Sequence, residues 1–218
     1  MKPKLIIFDM DGLMFDTERI YFRAWSKIMS KHSYNFNFEI YKQLMARNSY
    51  DMEIVLKGIY GTDFPFQKIN EERRKEGESI IQEEGVPHKK GLVTLLDYLE
   101  NKGINKVVAT SSVREKADRY LEKAGVLDRF TKIVCGSDVK QSKPNPEIFE
   151  KAADIFNASK DECIVLEDSQ NGIRAAHFAG MKCIFVPDLV QSDDEIKEKS
   201  TIEIIDLEKV IDYIESLN

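Results

Sequence analysis

The side chains able to do chemistry are scattered along the chain, and each follows a short apolar run. Asp9 and Asp11 follow LIIF, Thr110 with Ser111 and Ser112 follows KVVA, Lys143 trails KIVC, and Glu167-Asp168 follows CIVL. Two carboxylates as close as Asp9 and Asp11 repel when both are ionised in a dry site. One of them must then hold its proton, or a cation must sit between them. Taken singly, each group has an ordinary explanation: an Asx turn for Asp9-Met10-Asp11-Gly12, a turn residue for Thr110, a surface charge for Lys143, and a helix start favoured by the dipole for Glu167-Asp168. Together they suit phosphoryl transfer. Clustered carboxylates with an open oxygen site favour Mg²⁺, a carboxylate can be the nucleophile, and hydroxyl, backbone N–H and lysine can hold the transferring oxygens.

The elements that must position these groups are legible in the hydrophobic pattern. Strands are expected at 5–8, 106–109, 132–135, 163–166 and 182–186, with a short sixth at about 202–205. They are continuous apolar runs rather than alternating ones, as in a parallel sheet buried on both faces. Helical patterns fill the links: 92–101 before Gly103, a helix to Gly125, one begun near Pro146, one closing at Gly180, and a last one carrying Leu207, Val210, Ile211, Ile214 and Leu217. Ser112 and Glu115 have capping-box spacing. Residues 187–200 are polar and read as loop. The fold class is therefore α/β, a doubly wound parallel sheet. Residues 17–86 show only helical patterns, from about 17 and then at 38–46, 50–60 and 66–84. They are too long for one crossover and read as an inserted α-helical cap, leaving 1–16 and 87–218 as the α/β core. In such a sheet, ligands bind where strand C-termini meet loops, which is where the polar groups above fall.

Composition narrows the function. A chain of 218 residues can bury a substantial core. Its net charge of −6 disfavours a general nucleic-acid or anionic-membrane surface. Cys135, Cys163 and Cys183 lie in apolar runs with no C-x-x-C and read as reduced core thiols. No apolar run is long enough to span a bilayer and no leader pattern opens the chain. The expectation is a cytoplasmic monomer, with neither nucleic acid nor membrane as partner.

Four motifs, DMDGLMFDT, VVATSS, SKPNPEIF and VLEDSQNGIRAA, occur in the order found in haloacid dehalogenase-like hydrolases. The chain resembles the members with an α-helical cap after the first strand, and most of all the β-phosphoglucomutase-like phosphatases. That resemblance implies a Rossmann-like core and a cap that closes over the site. It implies Asp9 as nucleophile and Mg²⁺ ligand, and Asp11 as general acid and base whose carbonyl also binds Mg²⁺. Thr110 and the Ser111 amide would bind phosphate, Lys143 would offset charge, and Asp168 would ligate the metal with Glu167 as a direct or water-mediated partner. The implied reaction is Mg²⁺-dependent hydrolysis of a small phosphorylated metabolite, a sugar phosphate foremost.

Specificity is expected in the cap, where Arg47 could clamp a second phosphate; an exposed helix-end arginine explains it equally well. Arg73, Arg74 and Lys75 alternate with acids and read as a solvated face, and His32, His88 and His177 match no metal or triad spacing. A mutase is the alternative, disfavoured because Tyr21 stands where mutases resembling this chain carry histidine, and because Arg47 is followed by Asn48-Ser49-Tyr50-Asp51. Dehalogenase and phosphonatase relatives lack the acid present here as Asp11. A non-catalytic phosphometabolite sensor would be expected to have lost Asp9 or Asp11.

Overall fold

A computed structural model describes residues 2–45, 47, 49–189 and 191–217. The chain begins with β1 (Leu5–Phe8), then runs through α1 (Thr17–Lys31), α2 (Phe38–Lys42), α3 (Ser49–Tyr60) and α4 (Phe66–Glu84). Strands and helices then alternate: α5 (Leu92–Asn101), β2 (Asn105–Thr110), α6 (Arg114–Lys123), β3 (Ile133–Cys135), α7 (Glu147–Ile155), β4 (Cys163–Glu167) and α8 (Gln170–Ala179). The chain closes with β5 (Lys182–Phe185), α9 (Asp194–Lys199), β6 (Ile202–Glu203) and α10 (Val210–Ser216). Two compact units result, one of residues 1–16 and 86–218, the other of 17–85.

In the larger unit six parallel strands pair in the order β3-β2-β1-β4-β5-β6. All four residues of β1 are fully buried, as the sheet's centre requires when helices cover both faces. One apolar cluster joins Leu5 and Ile7 of β1 and Val107 of β2 to Phe149 of α7, Ile173 of α8 and Ile196 of α9. The strand order reverses between β1 and β4, the kind of point where open α/β sheets bind ligands. The register fixes which residues meet there. Phe8 pairs with Val108 on one side and Leu166 on the other, so Asp9, Thr110 and Glu167 emerge at one edge.

The segments that lead out of and back into this unit are joined to each other. The Asp16 N–H donates to the Pro87 carbonyl and the Lys89 N–H to that of Met14. Between them Phe15 and His88 form an antiparallel bridge with stacked rings.

The smaller unit is helical. α1 and α4 pack along each other, burying Ile20, Ala24, Trp25 and Ile28 of the first and Ile69, Gly77, Ile80 and Ile81 of the second. A Cβ added at Gly77 would meet Tyr21 and Ala24 only at ordinary van der Waals distance. Phe22, Trp25, Phe36, Phe38 and Tyr41 form an aromatic cluster at the α1–α2 corner.

Three expectations need correction. Residues 187–200 are not all loop, since α9 forms at 194–199, its N-terminus capped by the Asp193 carboxylate. The helix expected over 38–46 is the single turn and a half of α2; position 46 and Asn48 lie outside the described residues. Ser112 does not cap α6, whose N-cap is Val113 without a side-chain hydrogen bond. Among the described residues, no helix is long and apolar enough to cross a membrane.

Candidate active site

Asp9 is the first residue beyond β1. Its own N–H still donates to the Leu166 carbonyl, which ties it to the end of β4. Its Oδ1 accepts from Lys143 Nζ at 2.5 Å, and the same ammonium donates to Glu167 Oε1 at 2.7 Å and to the Ala109 carbonyl at 3.1 Å. The Lys143 ammonium lies over the Phe149 ring, 4.8 Å from its centre. One buried lysine thus spans the ends of β1, β2 and β4, and its side chain is only 5% exposed.

Glu167 is fully buried and hydrogen-bonded through both oxygens. Oε2 accepts from the Asp168 and Ser169 amides at 3.0 Å and from Ser169 Oγ at 2.9 Å, while Oε1 takes Lys143. Ser169 in turn caps α8 by accepting from the Gly172 amide. Gly172 is glycine because a Cβ there would fall 1.8 Å from Glu167 Oε1. A comparable closeness holds Asp168. Gly12 turns with φ +90°, and a Cβ on it would lie 2.1 Å from Asp168 Oδ2.

Asp9, Glu167 and Asp168 each offer a carboxylate oxygen, and these oxygens lie within 4.8 Å of one another. Three carboxyl groups therefore meet one ammonium in a buried place. The Asp9 carboxyl is raised to about 7, because burial pushes it up more than Lys143 pulls it down, and Glu167 and Asp11 add to the rise. Burial also works against the charge on Lys143, but Asp9 and Glu167 outweigh it and hold that lysine's pKa above its ordinary value. The ammonium stays charged, and the surplus negative charge is relieved by a proton or a cation. An all-oxygen donor set of this kind fits a hard divalent ion such as Mg²⁺. Asp9 and Asp168 complete that donor set, and Glu167 already accepts at both oxygens.

Thr110, buried at the end of β2, accepts from the Ser112 amide at 3.1 Å, which curls the Ser111–Ser112 loop over the strand end. Gly136 lies against this loop, where a Cβ would be 2.5 Å from the Ser111 carbonyl. The Asp11 carboxylate faces the same loop. It accepts from Ser112 Oγ at 2.8 Å and from Lys116 Nζ at 2.9 and 3.0 Å. Lys116 carries no motif and was not among the expected residues. Its signal was its spacing, four residues after Ser112 and on one face of the first helical turn.

The larger unit thus brings together Asp9, Lys143, Glu167 and Asp168, with Asp11 near enough to act on the charge of Asp9 and Thr110 at the adjoining strand end. Arg47 belongs to the smaller unit, where it is exposed and its Nε donates to the Gln43 carbonyl at 2.7 Å.

A protein named phosphorylated carbohydrates phosphatase, from Thermotoga maritima, is 24% identical over 217 residues, 97% of this chain and 98% of that one. The β-phosphoglucomutase of Bacillus subtilis is 29% identical over 194 residues, 84% of this chain and 83% of its own. The crystal structure of a conserved haloacid dehalogenase-like protein of unknown function from Agrobacterium tumefaciens shares the fold, with a TM-score of 0.85 at 22% identity over 98% of both chains. The family model for haloacid dehalogenase-like hydrolases matches residues 6–186, from β1 to the end of β5, and the chain belongs to that family of enzymes.

Proposed function

We propose that this enzyme is a Mg²⁺-dependent phosphatase that hydrolyses small phosphorylated metabolites, sugar phosphates foremost, through an aspartyl-phosphate on Asp9. The observation that carries the reading is the Asp9–Lys143–Glu167 contact beside Asp168, at the reversal point of the sheet. The phosphorylated-carbohydrate phosphatase among its relatives supports the substrate class.

In the first step an Asp9 carboxylate oxygen attacks phosphorus as the bond to the substrate's alkoxide breaks. Asp11 gives its proton to that departing oxygen. In the second step a water attacks the phosphorus of the aspartyl-phosphate and passes its proton to Asp11, and the phosphorus–Asp9 bond breaks to release phosphate. General acid and base assistance of this kind is typically worth ~10²–10⁴-fold. Thr110 and the Ser111 amide hold phosphoryl oxygens, and Lys143 offsets the charge between them and Asp9. Mg²⁺ would be held by Asp9, Asp168 and the Asp11 carbonyl, with Glu167 reaching it through water. When bound it supplies positive charge against the transferring oxygens. The 17–85 unit acts as a cap that keeps bulk water out during transfer, and Arg47 reads the far end of the substrate.

The resemblance to a β-phosphoglucomutase keeps one rival reading, in which phospho-Asp9 survives long enough to return its phosphoryl group. The purified protein with Mg²⁺ and a panel of sugar phosphates separates the two when free phosphate and glucose 6-phosphate are followed independently. Phosphate without isomer is expected. Glucose 6-phosphate formed from β-glucose 1-phosphate with little phosphate would make it a mutase, and turnover of nothing would reject both.

A further inference from the structure

Ser112 has the spacing of a helix cap, yet α6 goes without a side-chain cap. The hydroxyl donates instead to Asp11 Oδ2, and Lys116, one turn along the same helix, donates to both Asp11 oxygens and to Ser112 Oγ at 3.0 Å. The three groups close a ring. The lysine's own path is fixed as well, because its ammonium lies 5.1 Å from the centre of the buried Tyr120 ring, the next residue on that helix face. An isolated surface ion pair holds its partners loosely. Here the anchor is on a helix, the partner is on a tight turn after β1, and a hydroxyl fixes one oxygen from a second direction.

We propose that Lys116 is a positioning residue for Asp11, holding its carboxylate over the Thr110–Ser112 loop, where the departing oxygen of a phosphate bound to that loop would lie. This rests on the phosphatase reading, in which Asp11 hands a proton to the leaving group, and adds the residue that aims it. No part of the reacting phosphoryl group need touch Lys116 itself. Its loss would therefore be felt in proportion to how much the leaving group needs a proton.

Phenyl phosphate and p-nitrophenyl phosphate are nearly the same shape, but the nitrophenol departs readily as an anion whereas phenol does not. kcat/KM reports the steps up to departure of the phenol and is blind to hydrolysis of the aspartyl-phosphate. Lys116→Met should lower kcat/KM for phenyl phosphate by ~10-fold or more, as befits weakened general-acid help, and for p-nitrophenyl phosphate by less than ~3-fold. Lys116→Arg should restore most of the loss. Lys116→Gln serves as a second truncation, with melting temperatures recorded for each variant to follow the fold. Equal losses on the two esters would make Lys116 an anion-binding or merely structural residue and overturn the proposal, as would unchanged or faster turnover of phenyl phosphate. A wild-type protein inert toward both esters and toward the sugar-phosphate panel in the presence of Mg²⁺ would instead overturn the phosphatase reading, and this assignment with it.

Discussion

In the proposed mechanism Asp9 bears the heaviest demands of any residue, since it would be nucleophile and ligand while remaining the partner of Lys143. Asp9→Asn removes the nucleophilic charge and should lower kcat on the order of 10⁴-fold or more, with the circular dichroism spectrum of a folded protein; turnover within tenfold of wild type would reassign the nucleophile. Without metal the Asp9 carboxyl is raised from 3.8 to about 7, chiefly by burial. The native state then holds a proton that the unfolded chain gives up. The resulting stability is fully present below the ordinary carboxylate range and is lost as pH rises through about 7. A divalent cation replaces that proton. Titrating Mg²⁺ into metal-free protein at pH 6 should release protons, seen as a buffer-dependent calorimetric heat that disappears well above pH 8. Equal heats in all buffers at pH 6 would show that Asp9 is already ionised. Of the site, Asp9, Asp11, Thr110, Lys143, Glu167 and Asp168 were legible because each ends or follows an apolar run. The saturation of Glu167 by four donors was not, because it depends on side-chain geometry around one carboxylate.

Among the elements, the parallel strands were legible because burial on both faces leaves an uninterrupted apolar signature. α9 was hidden for the opposite reason. It buries only Ile196 and is held by charge, with Glu195 gripping Arg174 of α8 through two contacts of 2.6 Å. Such ion pairs join residues distant in sequence and leave no periodic trace. The α6 cap was misjudged because Ser112 had two possible partners, and the tertiary one, Asp11, prevailed. At the start of α8 the close approach of Gly172 to Glu167 leads to a test at this scale. Gly172→Ala must push Glu167 aside, which should destabilise the protein by about 1–3 kcal/mol. It should also disturb the Lys143 contact, lowering kcat more than it raises KM. A variant with wild-type melting and kinetics would mean that the helix start can shift without disturbing the carboxylate.

At the scale of the molecule, the cysteines report on the integrity of the larger unit. All three are buried, and burial pushes the thiols of Cys135 and Cys163 up to about 11 and that of Cys183 well above its ordinary value. None should react with iodoacetamide in native protein at pH 7.5, and all should do so in denaturant; fast labelling of Cys183 in buffer would mean that the central sheet opens locally. The bridge between Phe15 and His88 reaches further. The chain is fastened to itself where residues 17–85 depart and return, so the sheet should close without them. Loop closure grows only slowly in cost with length, so a short glycine-serine tether in place of residues 17–85 should leave a cooperatively melting α/β protein. Descendants of such a chain could trade one appendage for another, large or small, and inherit the same strand-end carboxylates unmoved.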